Sequence, residues 1–124
     1  MPPAAKRPAT IQRRHELFTE AAAIIEAEYE SKLALDDVAR RVATSRRQLQ
    51  RAFAEAGETS FRTCLQRVRM ERAADLLRAS GSPVNQVASA VGYRQPAQFA
   101  KAFRRHHGTP PSSFRDAADG QLAA

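Results

Sequence analysis

The sequence predicts an all-α protein of about seven helices, arranged as two similar subdomains joined by one long helix. Three observations carry this. Ala, Arg, Leu, Glu and Gln dominate and long β-branched runs are absent, which favours helix almost throughout. The segment DDVARRVATSRRQLQRAF at 36–53 recurs as NQVASAVGYRQPAQFAKAF at 85–103. Between the copies, residues 60–79 form an uninterrupted helical pattern that SGSP at 80–83 breaks.

Residues 1–9 are rich in Pro, Ala and basic side chains and are expected to be a disordered basic arm. The first subdomain then occupies 10–59. Its first helix, about 11–29, carries Phe18, Ala22, Ile25 and Tyr29 at intervals of three or four, a core stripe. A second helix, about 35–42, has Asp36 and Asp37 in its first turn, where the helix dipole favours negative charge. A third starts near Ser45, which stands to Gln48 in the S-x-x-Q spacing of a capping box. It is expected to end near Gly57 as a C′ glycine.

The long helix, 60–79, turns Phe61, Leu65, Val68, Leu76 and Leu77 to one side. The second subdomain occupies 80–118. Ser82 is placed to cap its first helix and Pro83 to open it, and that helix ends near Val91 and Gly92. Another helix starts around Pro96 and runs to His107 and Gly108. A short last one follows Pro110 and Pro111, and residues 119–124 are expected to be a disordered tail.

In the repeat, Val38, Ala39 and Val42 pair with Val87, Ala88 and Val91. Leu49, Ala52 and Phe53 pair with Phe99, Ala102 and Phe103. The offset changes from 49 to 50 between the two groups, so the second copy has one extra residue in its turn. Each copy is a short helix, a turn and a second helix. Ala39 and Ala88 allow close approach at a steep angle, and the larger apolar side chains fill that angle. One such pattern is a weak signal; two copies in register, both with basic second helices, are a strong one.

The net charge is +7 and the pI about 10.7, a balance that suits a polyanionic partner. No acid lies between Asp75 and Asp116, a gap that holds Arg78, Arg94, Lys101, Arg104, Arg105 and Arg115. One cysteine precludes an internal disulfide and points to a cytoplasmic chain. MPPAAKRPAT lacks the apolar centre of a signal peptide, and no apolar run approaches the roughly 18 residues of a membrane span. There is no glycine-rich phosphate loop and no paired-carboxylate arrangement. His106 and His107 point to different faces and do not suggest a metal site. Cys64 reads as a half-buried structural thiol on the long helix. The chain is therefore read as a non-enzyme that needs no cofactor.

These residues resemble the DNA-binding domain of the AraC/XylS family of bacterial transcription regulators. The resemblance covers roughly residues 11–116. Its most specific part is the second copy, with VGY, the F-x-x-x-F pair and the G-T-P-P-S-S-F-R exit. It implies seven helices in two homeodomain-like helix-turn-helix subdomains. With no sensor domain in the sequence, the chain resembles the stand-alone MarA/SoxS-type members, which bind DNA as monomers. It further implies activation through RNA polymerase and a cytoplasmic, nucleoid-associated bacterial protein. Four positions depart from the pattern. Ala43 replaces a common turn glycine, Ala34 lacks a capping hydroxyl, Gly57 precedes the expected glycine position at Glu58, and His107 replaces a frequent aromatic. None removes a core anchor, and together they imply a looser or differently tilted first subdomain.

On the third helix, Arg46, Arg47, Gln50 and Arg51 occupy the face opposite the apolar anchors. Arginine pairs with guanine O6/N7 and glutamine with adenine N6/N7 in the major groove. By resemblance, Arg47, Gln50 and Arg51 fall on base-contacting positions. In the second copy the matching face is assigned Arg94, Gln95, Ala97, Gln98 and Lys101, with Gln98 and Lys101 as the readers. Thr44, Ser45, Arg104, Arg105 and Arg115 are assigned to phosphates, which position the protein without conveying sequence. Arg69 and Arg72 on the long helix are read as structural, paired with Glu71, Asp75 or a helix end.

A twenty-residue helix is about 30 Å long. Successive major-groove faces lie about 34 Å apart, so one chain spans two reading heads over consecutive turns. The sequence thus points to a sequence-specific, monomeric regulator of double-stranded DNA. The rivals are a DNA-binding module excised from a larger ligand-responsive regulator, and a helical protein-binding adaptor without base readout. A membrane-surface binder comes third, because the basic residues are spread over several helices.

Overall fold

The computed structural model describes residues 8–123, and side-chain surroundings through residue 117. Seven helices follow one another: α1 (Pro8–Glu28), α2 (Leu35–Arg41), α3 (Arg46–Ala56), α4 (Phe61–Ala79), α5 (Val84–Ala90), α6 (Pro96–His107) and α7 (Pro111–Ala123). No strand occurs among the described residues. Two compact units divide the chain. One holds the chain up to Glu28 together with Leu33–Cys64; the other holds Tyr29–Lys32 together with Leu65 onward. The division falls inside α4, so that helix supplies core residues to both units.

In the first unit, α1 buries Ile25, as expected, together with Leu17 and Ala21, one position before the expected Phe18 and Ala22. Leu17, Ala21 and Ile25 are spaced by four, and the small Ala21 lets α3 approach closely. Phe18 sits on the shoulder of that contact, its ring edge-on to Phe53 at 5.3 Å. Phe53 is fully buried and also meets Phe61 edge-on at 5.9 Å. Val38, Ala39, Val42, Leu49 and Ala52 complete this core. Cys64 is fully buried here, more so than the sequence suggests.

In the second unit, Met70, Ala73, Ala74 and Leu77 of α4 pack with Val87, Ala88, Val91, Phe99 and Phe103. Phe114 of α7 lies edge-on to Phe103 at 5.3 Å. His107 fills the aromatic position expected of it: its ring is 4.3 Å from Phe103, and Nε2 is 2.9 Å from the Met70 carbonyl.

Several boundaries differ from the sequence reading. α1 begins at Pro8, within the stretch expected to be an arm, because proline is well tolerated in a first helical turn; the rest of that arm, 1–7, lies outside the described residues. α7 continues to Ala123 through most of the expected tail. Pro83 is itself the N-cap of α5, and no side chain caps that end. Gly57 is not left-handed: its φ is −99°, and Glu58 behind it takes the left-handed conformation at φ 52°. A Cβ on Gly57 would stand 2.4 Å from the Phe18 ring, so close packing explains this glycine.

Candidate nucleic-acid interface

Both helix-turn-helix copies use the same turn. Thr44 N–H donates to the Ala39 carbonyl and Tyr93 N–H to the Ala88 carbonyl, each at 2.9 Å. The residue before each donor is left-handed: Ala43 at φ 57° and Gly92 at φ 99°. From there the copies diverge. Thr44 alone separates Ala43 from the N-cap Ser45, whereas Tyr93 and Arg94 separate Gly92 from the N-cap Gln95. This is the extra residue that the change of offset requires.

Ser45 Oγ accepts from Gln48 N–H at 3.1 Å, fixing the start of α3. Leu49, Ala52 and Phe53 face the core, and Arg46, Arg47, Gln50 and Arg51 are all exposed on the remaining surface. Arg46 Nε lies 3.7 Å from Asp36 Oδ1, a solvent-screened contact that a phosphate or base readily replaces. Arg47 and Arg51 have no ion pair among the described residues, so their guanidinium groups are available.

α6 starts with Pro96 at its first turn and buries Phe99 and Phe103. Arg94, Gln95, Gln98, Lys101, Arg104 and Arg105 are exposed. The Gln95 side chain makes no capping bond. At 3.6 residues per turn, the offset of 50 carries each α3 position onto α6. Lys101 matches Arg51 at the centre of the open face, Arg104 matches Ala54 beside it, and Gln98 matches Gln48 on the flank. Gln98 and Arg104 are both exposed, Gln98 beside the buried Phe99 and Arg104 beside the buried Phe103. Ala97 and Ala100 stand where the first copy has Arg47 and Gln50.

Two basic residues of the acid-free gap are engaged elsewhere. Arg115 is half-buried; its Nη2 donates to the Ser80 carbonyl at 3.2 Å and its Nε to the Leu77 carbonyl at 3.5 Å. It caps the C-terminal end of α4, where the dipole favours a cation, so its guanidinium is engaged within the fold. Arg78 lies 4.9 Å over the Phe114 ring and 3.7 Å from Asp75. Arg69 is structural, but through partners distant in sequence. Its Nε donates to the Tyr29 carbonyl at 2.7 Å and its Nη2 to the Ser31 carbonyl at 2.9 Å. Its guanidinium also lies 5.8 Å over the Tyr93 ring. Burial lowers its pKa, and Tyr93 opposes that shift. Arg72 reaches Asp75 at 3.9 Å, as expected.

A family model described as a helix-turn-helix domain matches residues 38–117. The Msm operon regulatory protein of Streptococcus mutans is 32% identical over 92 residues, which are 74% of this chain and 33% of that protein. The transcriptional regulator GbdR of Pseudomonas aeruginosa is 35% identical over 102 residues, 82% of this chain and 27% of that one. The chain thus spans about a third or less of the length of these curated relatives. A transcriptional regulator from Chromobacterium violaceum, described as containing an AraC-type DNA-binding domain, superposes with a TM-score of 0.80 at 30% identity, covering 86% of this chain and 96% of that one. The DNA-binding domain of AdpA, solved with a target DNA, superposes with a TM-score of 0.77 at 28% identity, covering 85% and 94%.

Proposed function

The chain belongs to the AraC-type helix-turn-helix family, and from that premise we propose that it regulates transcription by reading double-stranded DNA with α3 and α6. The observation that carries this is the repeated recognition face. Each copy pins its second helix by buried anchors and leaves guanidinium, amide or ammonium groups exposed on the other side. The AdpA complex, a relative of the same fold bound to DNA, supports the reading.

The two heads divide the work unequally. Arg47, Gln50 and Arg51 give α3 three side chains able to bond base edges. At the matching places α6 has two alanines and Lys101, with Arg104 beside them. The first head supplies most of the base discrimination; the second supplies charge and one thymine-methyl contact through Ala97, and grips backbone through Arg105. Thr44 and Ser45 at the start of α3 serve the phosphates of the first box. Contact with RNA polymerase, a monomeric state on DNA and a place in the bacterial cytoplasm at the nucleoid complete the proposal. No step of it requires catalysis.

A second reading is favoured by the share of the relatives that this chain covers: it is the DNA-binding module of a larger regulator, whose remaining domain controls it. Selection from a random duplex library at about 150 mM salt tests the proposal. A site of roughly 20 base pairs with two boxes one helical turn apart is expected, the first box the more sharply defined. A single box would restrict reading to one head. No enriched site would refute base readout and favour the adaptor.

A further inference from the structure

The extension of α1 back to Pro8 brings its first turns against the start of the recognition helix. A shallow groove of about 300 Å³ runs between them, lined by Thr10, Arg13 and Arg14 of α1, by Thr44 of the turn before α3 and by Gln48 of α3. No acid lines it. Gln48 lies on the flank of α3, between the buried face and the open reading face. α1 is fixed to α3 by the Arg14–Glu55 ion pair and, on the core side, by Phe18 against Phe53.

A helix seated in the major groove is walled on each side by a phosphate strand, the groove being only about 12 Å wide. The groove beside Gln48 is therefore where one of those strands passes. Its groups divide clearly. Arg14 is already committed to Glu55 and has only 12% of its side chain exposed. Arg13 is half exposed, and its contact is a 3.5 Å pair with Glu16, itself half exposed. Such a pair holds a guanidinium weakly and releases it to a stronger anion. Thr10, Thr44 and Gln48 supply neutral donors around the same space.

We infer that Arg13, with Thr10 and Gln48, forms an additional clamp for a DNA backbone phosphate at the edge of the first box. The inference rests on the DNA-reading proposal and extends the footprint from the helix-turn-helix to α1. The ligand is a phosphodiester of the bound strand, so the contact carries charge and register but no base preference.

The test compares wild type with Arg13→Ala and Glu16→Gln on the selected duplex and on a scrambled duplex of equal length, from about 50 to 200 mM salt. Circular dichroism checks that each variant keeps its helices. Arg13→Ala should lower the magnitude of the log–log salt slope by about 0.9, one phosphate's worth, and weaken both duplexes alike. Glu16→Gln should keep the full slope and bind at least as tightly. Ethylation of one phosphate flanking the first box should interfere with wild type and not with Arg13→Ala. An unchanged slope for Arg13→Ala, with wild type still selecting its site, overturns this inference alone. A loss confined to the selected duplex would make Arg13 a base reader and overturn it equally. If wild type distinguishes no duplex from the scrambled one, the DNA-reading proposal falls and this clamp with it.

Discussion

Replacing Ala43 and Glu58 by glycine should stabilise the first helix-turn-helix, because both residues hold a conformation that side chains resist. Ala43 has φ 57° and Glu58 φ 52°. They bracket α3, one in the turn before it and one just after its C-cap Gly57. The conformation is imposed from outside: it lets Thr44 N–H reach the Ala39 carbonyl, and Thr59 N–H reach the Phe53 carbonyl at 3.1 Å. A left-handed L-residue costs roughly 1–2 kcal/mol through its Cβ. Glycine removes that cost but loses about 0.4–1 kcal/mol through the greater freedom of the unfolded chain. The net gain is about 0.5–1 kcal/mol per site. The sites lie at opposite ends of an eleven-residue helix, about 16 Å apart, so the gains should add. The double variant should gain about 1–2 kcal/mol in urea denaturation, with the increase in amide protection confined to the first unit. The second unit supplies the reverse experiment. Gly108 has φ 81° and open space around its Cβ position, so Gly108→Ala isolates the backbone cost and should lose about 1 kcal/mol. Gly92→Ala should lose more, since the added Cβ stands 3.1 Å from the Arg69 guanidinium. Neutral or destabilising glycines at 43 and 58, beside a costly Gly108→Ala, would refute the assignment of strain to the first copy.

Arg51→Ala should weaken the selected site by about 1–3 kcal/mol and relax one base position in a repeated selection; equal weakening on all sequences would make Arg51 a phosphate contact. Arg105→Ala should weaken binding uniformly and reduce the salt slope by about one, and an unchanged slope would remove it from the footprint. Arg115→Ala should instead leave the slope intact and lower the melting temperature, because its bonds go to the end of α4. Burial, and then the neighbouring His107, hold the His106 pKa below its ordinary value of 6.5. The unfolded chain therefore binds this proton more readily, and the stability contribution is complete above pH 6.5 and declines as pH falls below it. His106→Gln should flatten that decline in a series of thermal melts; an unaltered pH dependence would assign it to other groups.

The order and type of the helices were legible because apolar spacing and punctuation agree. Ser45 with Gln48, Pro96, and Gly108 all mark real ends. What went astray needed distances between segments far apart in sequence. The α1 spacing points to Phe18 and Ala22 beside Ile25, whereas the residues buried with Ile25 are Leu17 and Ala21. Gly57 was given a left-handed role by its identity; it is glycine because Phe18 lies over it. The carbonyl partners of Arg69 and Arg115, 35 to 40 residues away, leave no local trace. The offset of 50 that defines the repeat matches Gln98 with Gln48 and Arg104 with Ala54, a correspondence already present in the sequence.

The repeat also accounts for where the two heads have diverged. Their buried positions are interchangeable, Leu49 for Phe99 and Phe53 for Phe103, and their turns close with the same hydrogen bond. Backbone comfort and reading chemistry have separated in opposite directions. The second copy has glycine at both left-handed positions, Gly92 and Gly108, but alanines at the positions that match Arg47 and Gln50. The first copy has arginines and a glutamine on its face, and non-glycine residues in its two left-handed positions. The cost in the first copy, about 1–2 kcal/mol per residue, falls on the unit proposed to carry most of the discrimination. Binding energy from the phosphates on either side of α3 can offset it, because ligand that binds only the folded state stabilises that state. If so, the glycine double variant should gain less stability in the presence of saturating specific duplex than without it only where strain is relieved on DNA. An equal gain in both conditions would mean that Ala43 and Glu58 keep their left-handed backbone in the complex, and that the strain is a fixed property of the first head.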